Sequence, residues 1–252
     1  MKVVSLNTWS GKLFGPLLKY VSEQGGGTDI FCFQEIFDTP TRGRKTEKYR
    51  FDIFSELAES LPSHKGYFAP VQDNFDFDGN VDFPLSQGIA MFVKDSIKIA
   101  EIDDVYIFGA RNSYKGPGTM PRNLQYAVIN QDGTNYMISH FHGLWNLNRK
   151  SDSEERLEQS KRIKEILDKL PGKKILCGDF NLSPDTKSLG ILEKGLVNLI
   201  KENGIFSTRS SLYTKQNKFA DYMLVSPEVV VEKFNVPNIE ISDHLPMELS
   251  FH

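Results

Sequence analysis

The chain has 252 residues, 39% of them hydrophobic and 25% charged, with a formal net charge of −3. That balance excludes a disordered or collagen-like chain and fits an ordinary globular protein. The slight negative charge disfavours a protein that grips long duplex DNA through a general basic field, and no apolar run approaches the ~20 residues that span a bilayer.

Taken in chain order, residues 2–8 read as a first strand, apolar and bounded by polar turn residues. Met1 and Lys2 lead straight into it, without the charged, apolar and cleavage regions of a secretory leader, so a cytoplasmic protein with no membrane anchor is expected. Residues 13–23 carry Leu13, Leu17, Leu18 and Val21 at helical spacing, and Gly25-Gly26-Gly27 stops that helix. Thr28 to Glu35 is a short apolar strand that ends in acid. Residues 46–60 read as a second helix with Phe51, Phe54, Leu57 and Ala58 on one side.

The pattern then turns to strands at 65–70, 88–94, 97–107, 122–130 and 134–141. Residues 153–170 form the clearest helix, with Leu157, Ile163, Ile166, Leu167 and Leu170 as its apolar face. Strands follow at 173–178, 219–226, 229–235 and 245–251. No linker, repeat or low-complexity run divides the chain, so residues 1–252 are expected to form a single domain. Helices at both ends of a strand-rich middle predict packed sheets covered by helices. Cys32 and Cys177 each sit in an apolar run and read as buried free thiols.

The stretch from Val71 to Gln87 carries Asp73, Asp76, Asp78 and Asp82, with Phe75, Phe77 and Phe83 between them. Asn74-x-Asp76-x-Asp78-Gly79 has the opening of a calcium loop, but the twelfth position is Leu85 rather than an acid. The competing readings are an acidic surface loop and a substrate-facing loop that repels polyanions and offers aromatic contacts.

Five strand-like segments each end in a polar cluster of catalytic character: Leu6-Asn7-Thr8-Trp9, Phe33-Gln34-Glu35, Ser139-His140-Phe141-His142, Gly178-Asp179-Phe180-Asn181 and Ser242-Asp243-His244. Singly, each has a plain reading as a turn or cap residue, a solvated acid or a satisfied core histidine. Together at strand ends, where sites are assembled, they point to chemistry. Glu35, Asp243 and Asn7 supply the oxygen ligands a hard cation such as Mg2+ or Mn2+ takes. Asp179 suits a carboxylate that orients and deprotonates water, with Asn181 two residues on. His140 and His244 are the available imidazoles for charge on a phosphoryl group, and Asp221 is placed to fix the His244 tautomer.

This ordered set, from Asn7 to His244, resembles the endonuclease/exonuclease/phosphatase superfamily, in which deoxyribonuclease I and neutral sphingomyelinases fall. Gly178-Asp179-Phe180-Asn181 and Ser242-Asp243-His244 carry the resemblance most specifically. It implies a four-layer α/β/β/α sandwich of two mostly antiparallel sheets, with the site at one edge. It also implies Mg2+ or Mn2+ near Glu35, with Asn7 and Asp243 close by. Asp179 would activate water, Asn181 would hold the phosphate or order that network, and His140 and His244 would bind the transferred group, with Asp221 paired to His244. His140-Phe141-His142 is similar to the His-Leu-His of deadenylases, which brings His142 in as a substrate contact. The apurinic-endonuclease and inositol-phosphatase signatures are absent, and fold alone does not choose a substrate.

Trp9 and Trp145 follow two of the clusters and offer stacking faces for a base or sugar, core packing being the competing role. Arg122 offers a bidentate phosphate clamp, or else an exposed charge at a strand start. The reading is a divalent-metal-dependent hydrolase of phosphate esters, foremost a phosphodiesterase or nuclease. A phosphomonoesterase on a soluble sugar or nucleotide phosphate is the alternative, and a non-catalytic scaffold a distant third. No protein partner is legible.

Overall fold

In the computed structural model, residues 1–146 and 150–252 are described. Two six-stranded mixed sheets are flanked by helices. The first sheet has the order β11 (Val231–Asn235), β12 (Met247–Phe251), β1 (Lys2–Asn7), β2 (Ile30–Asp38), β4 (Ser86–Lys94), β3 (His64–Asp73). The second runs β5 (Ile99–Phe108), β6 (Arg122–Gln131), β7 (Thr134–His142), β8 (Lys173–Asp179), β10 (Asp221–Val225), β9 (Val197–Asn198). Each sheet contains one parallel pair, β1 with β2 and β7 with β8, among antiparallel neighbours.

Alternation along the strands builds the layers. Successive side chains point to opposite faces of a strand. In β2, Ile30 and Cys32 enter the core between the sheets, while Phe31 and Phe33 face the outer core. In β1, Val3 goes inward and Val4 and Leu6 outward. That outer core is closed by Leu17 and Val21 of α1 (Phe14–Gly25) and Ile53 and Leu57 of α2 (Ile53–Ser60). On the far side, Ile163 and Leu167 of α3 (Glu154–Lys169) and Leu189 and Leu192 of α4 (Lys187–Leu192) cover the second sheet. Strands buried on both faces read as continuous apolar runs, which is why they were legible.

The helix expected over 46–60 forms only from Ile53. The chain before it folds back in turns: Thr46 N–H bonds to Tyr49 O and Phe51 N–H to Arg44 O. Phe51 is buried there by Phe37 and Phe83 ring edges, so its apolar character serves a loop and not a helix face. Short α4, with Thr186 capping Leu189 N–H, and α5 (Leu199–Glu202), capped by Asn198, lay below the length at which periodicity speaks. Cys32 and Cys177 are buried free thiols.

The acidic stretch closes a hairpin between β3 and β4. Asp76 Oδ1 accepts the Asp78 and Gly79 amides at 3.0 and 3.1 Å, Asp73 is held by Arg111, Asn112 and Ser86, and Asp78 pairs with Lys48. These carboxylates are consumed within the protein and do not converge as a calcium cage.

His140 is fully buried between the sheets. Its Nδ1 accepts from Gln34 Nε2 at 3.2 Å, and its Nε2 meets Gln125 Oε1 at 2.8 Å, which fixes the Nε2–H tautomer. Burial holds it down at about 3, against an ordinary 6.5. The folded protein therefore keeps His140 neutral, while the unfolded chain takes up a proton below 6.5. Stability is full above that pH and falls as pH drops from about 6.5 toward 3, by up to ~1.4 kcal/mol per pH unit. His140→Gln should reduce this slope in urea denaturation at pH 7, 6 and 5, leaving the contributions of His142 and His64, also held down by burial. A slope identical to the parent's would remove His140 as its source.

Candidate active site

The two parallel pairs bring four strand ends to one edge. Asn7 pairs with Gln34 across β1 and β2, and His142 pairs with Asp179 across β7 and β8. Antiparallel β10 begins at the same edge, with Asp221 opposite Asp179. The cleft formed there has a volume of about 580 Å³.

Glu35 reaches this edge through a bulge. The β2–β4 register breaks between Phe33 and Ile36, and Glu35 adopts φ +57°, a re-aiming device that bulges commonly supply. Its Oε1 accepts from Asn7 Nδ2 and its Oε2 from Ser10 Oγ, both at 3.1 Å. Burial raises the Glu35 carboxyl, the Asn7 amide lowers it, and the charges of Asp243 and Asp179 raise it again.

Asp179 is the hub. Its Oδ1 accepts the Asn181 N–H at 2.9 Å, and its Oδ2 accepts Asn7 Nδ2 at 3.1 Å. His244 Nε2 and His142 Nε2 lie 3.5 and 3.6 Å from the same Oδ2. Burial works against its charge, but His244, Arg209 and Lys150 outweigh it and hold Asp179 below the usual carboxylate range. His244 Nδ1 faces both Asp221 oxygens at 2.8 and 2.9 Å. Burial lowers His244, yet Asp221 and Asp179 prevail and raise it. His142 goes the other way: burial and Arg122 keep it neutral.

Glu35, Asp179, Asn181, Asp243, His142, His244, Arg122, Trp9 and Trp145 line the cleft. Asn7 lies beneath it, fully buried, and Asp221 stands behind His244. His140, expected at the phosphoryl group, is not brought to the cleft; Gln34 and Gln125 seal it one pleat deeper, and His142 occupies the open strand end. Trp145 is 48% exposed, so it is not a core residue. Arg122 is 4% exposed, not a surface charge; burial lowers it to about 10, against the pull of Asp179 and Glu35. Its Nε has no acceptor, and no hydrogen bond or ion pair to a described residue engages its guanidinium. Phe75 and Phe77 of the acidic hairpin form part of the wall.

Two buried cations, and the exposed Lys215 at the mouth, escaped the sequence reading. Arg209 Nη1 lies 2.8 Å from Asp243 Oδ2 and also contacts His244 Nε2. Lys150 donates to the Phe219 carbonyl. Neither sits at the end of an apolar run, so strand-end logic had no signal for them.

Asp179, Asp221 and His244 place ligand atoms within 4.8 Å of one another. The imidazole there spans two carboxylates with both nitrogens engaged, which is the arrangement of a relay. Glu35 and Asp243 could also hold a hard cation: the Asp243 charge acts on the Glu35 carboxyl and Asp243 Oδ1 is buried without a hydrogen-bond donor, while the Asn7 oxygen accepts from the Trp9 N–H at 2.9 Å.

Residues 4–244 match the Endonuclease/Exonuclease/phosphatase family. The chain belongs to that family. Members of the family are phosphoric ester hydrolases and generally use divalent metals. No curated protein matches the sequence. Among solved structures, a mannosyl-6-phosphatase from Bacteroides thetaiotaomicron is 18% identical, with TM-score 0.73, covering 100% of this chain and 99% of its own. The human Nocturnin catalytic domain with bound sulfate is 18% identical, with TM-score 0.70 and coverages of 100% and 94%. A humanized D. rerio TDP2 is 17% identical, with TM-score 0.67 and coverages of 100% and 98%. At such identities the likeness establishes the fold alone. Among the described residues, no helix is long and apolar enough to cross a membrane.

Gly178 lets β8 pass close to β7 just ahead of Asp179. Its φ is +130°, and a Cβ there would stand 2.2 Å from the Phe141 carbonyl oxygen of β7. Gly178→Ala should destabilise the protein by about 2–4 kcal/mol and displace Asp179. Chemical denaturation checks the first; a stability within ~0.5 kcal/mol of the parent would show that the β7–β8 pair yields.

Proposed function

We propose that the chain is a divalent-metal-dependent phosphodiesterase that attacks phosphorus with a water held by Asp179. The convergence of ionised Asp179 with two imidazoles and the unpaired Arg122 in one cleft carries this reading. A buried guanidinium without a counter-ion is strongly unfavourable, and a substrate oxyanion supplies the partner it lacks.

In this reading Asn7 and the Asn181 amide fix the Asp179 carboxylate, which orients the water and takes its proton as the new P–O bond forms. Charge builds on the non-bridging oxygens, where Arg122, His142 and the Asn181 side chain are at hand. His244, kept charged by Asp221, donates from Nε2 to the phosphoryl or leaving oxygen. Glu35, Asn7 and Asp243 would hold Mg2+ or Mn2+, which supplies Lewis-acid neutralisation of phosphoryl charge and acidifies bound water. Aromatic side chains of Trp9, Phe75, Phe77 and Trp145 line the cleft and offer contacts to groups beyond the phosphate, which favours a diester. A phosphomonoesterase is the second reading, favoured by the four cationic side chains Arg122, Lys150, Arg209 and Lys215 lining one cleft, which suit a dianion. The chain's net charge and the negatively charged hairpin favour a small or single-stranded substrate over long duplex DNA.

Purified protein with Mg2+ or Mn2+ should cleave a bis-aryl phosphate faster than an aryl monophosphate. The reverse order would select the monoesterase. Asp179→Asn should keep the fold and lower kcat by roughly 10³ or more; turnover near the parent's would exclude Asp179 as the base. Glu35→Gln should weaken metal binding by about tenfold or more in calorimetry, and an unchanged affinity would put the ion elsewhere.

A further inference from the structure

Strand order lays out charge along the site edge. Across the second sheet, β6 brings Arg122, β7 His142, β8 Asp179 and β10 Asp221. Arg122 thus stands two strands to one side of Asp179. Lys150 and Arg209 stand on the other side. The Lys150 ammonium donates to Phe219 O, two residues ahead of β10, and Arg209 Nη1 contacts the His244 ring that Asp221 holds. All three cations line the same cleft.

Lys150 and Arg209 are 7% and 8% exposed and pack on one ring, their charged ends 5.1 and 4.3 Å from the Tyr213 centroid. Among the described residues, no carboxylate pairs with Lys150, and Arg209 Nε is buried without an acceptor. Burial and the Arg209 charge bring Lys150 down to about 8, so it is still a cation at neutral pH. Two like charges buried side by side repel each other, and Asp243 neutralises one of them. The reacting phosphate already has Arg122, His142 and Asn181. This leaves a second cationic position in which, among the described residues, Lys150 has a carbonyl but no counter-ion and Arg209 Nε has no acceptor.

We propose that Lys150 and the Nε edge of Arg209, with exposed Lys215 at the mouth, hold a second anionic group of the substrate. The inference rests on the proposed reading for which phosphate reacts. It names the substrate class as a small phosphoester bearing a further phosphate or carboxylate. From β6 to β10 is three strand spacings, roughly 14 Å between strand axes, and two long side chains close part of it. The second anion therefore lies several bonds from the reacting phosphorus.

The test is calorimetric binding of alkylphosphonates and alkane-α,ω-bisphosphonates of two to six carbons, in chelator so that no metal intervenes. The parent protein should bind the best bisphosphonate about tenfold or more tightly than the matching alkylphosphonate. Lys150→Met, checked for an unchanged melting temperature, should bring the two affinities to within about twofold of each other. Equal affinities in the parent protein, or a ratio untouched by Lys150→Met, overturn the proposal; the parent comparison stands even if the variant fails to fold. An active diesterase without the bisphosphonate preference sinks this inference alone. A protein inactive on every ester but showing the preference sinks the hydrolase reading and leaves the second anion position standing.

Discussion

The hydrogen bond from Asn7 to Asp179 ties the end of a strand in the first sheet to the end of a strand in the second. The rest of the site depends on the buried carboxylate it helps to hold. A charge with so little access to water persists only when hydrogen bonds and opposite charges replace hydration. Asn7 and the Asn181 amide supply the bonds, and His244, Arg209 and Lys150 supply the field. Because the donors come from both sheets, the sheets must meet in one register for the charge to survive.

That constraint explains the uneven chemistry of the histidines. His244 has Asp221 behind it and Asp179 before it, so it stays charged in the protein interior. His142 faces the same carboxylate with Arg122 at its other side, and burial wins. His140, flanked by amides alone, is also kept neutral by burial and belongs to the seam between the sheets. Three imidazoles near one cleft thus take different protonation states, set by which charges the fold places beside them. Perturbed groups of this density are a mark of functional sites, and here they coincide with a cleft and with orphaned guanidinium and carboxylate atoms.

Much of the architecture was legible because two-faced burial writes continuous apolar runs. Ile30 to Phe33 and Val3 to Leu6 show it, splitting alternately into the two cores. The reading failed where aromatic residues serve loops. Phe51 completes a ring cluster ahead of α2, and the expected helix lost its first half. The hairpin between β3 and β4 opens like a calcium loop, but Asp76 is spent on turn amides and Asp73 and Asp78 on cations. Short α4 and α5 were invisible for want of periods.

The sequence by itself determined the family, the strand-ended clusters and the residue types that gather at the cleft, because strand ends and catalytic side chains are local facts. Only tertiary structure decided which histidine opens to the cleft. His140 and His142 share a face of β7 and differ by two residues, about 6.6 Å along the strand; the deeper one meets Gln34 and Gln125 from other strands, and the outer one does not. Tertiary structure also brought in Arg209 and Lys150, whose roles come from contacts with His244, Asp243 and Phe219, far from them in sequence. Charge in a cleft is a sum over strands and loops, and no single stretch of chain contains the sum.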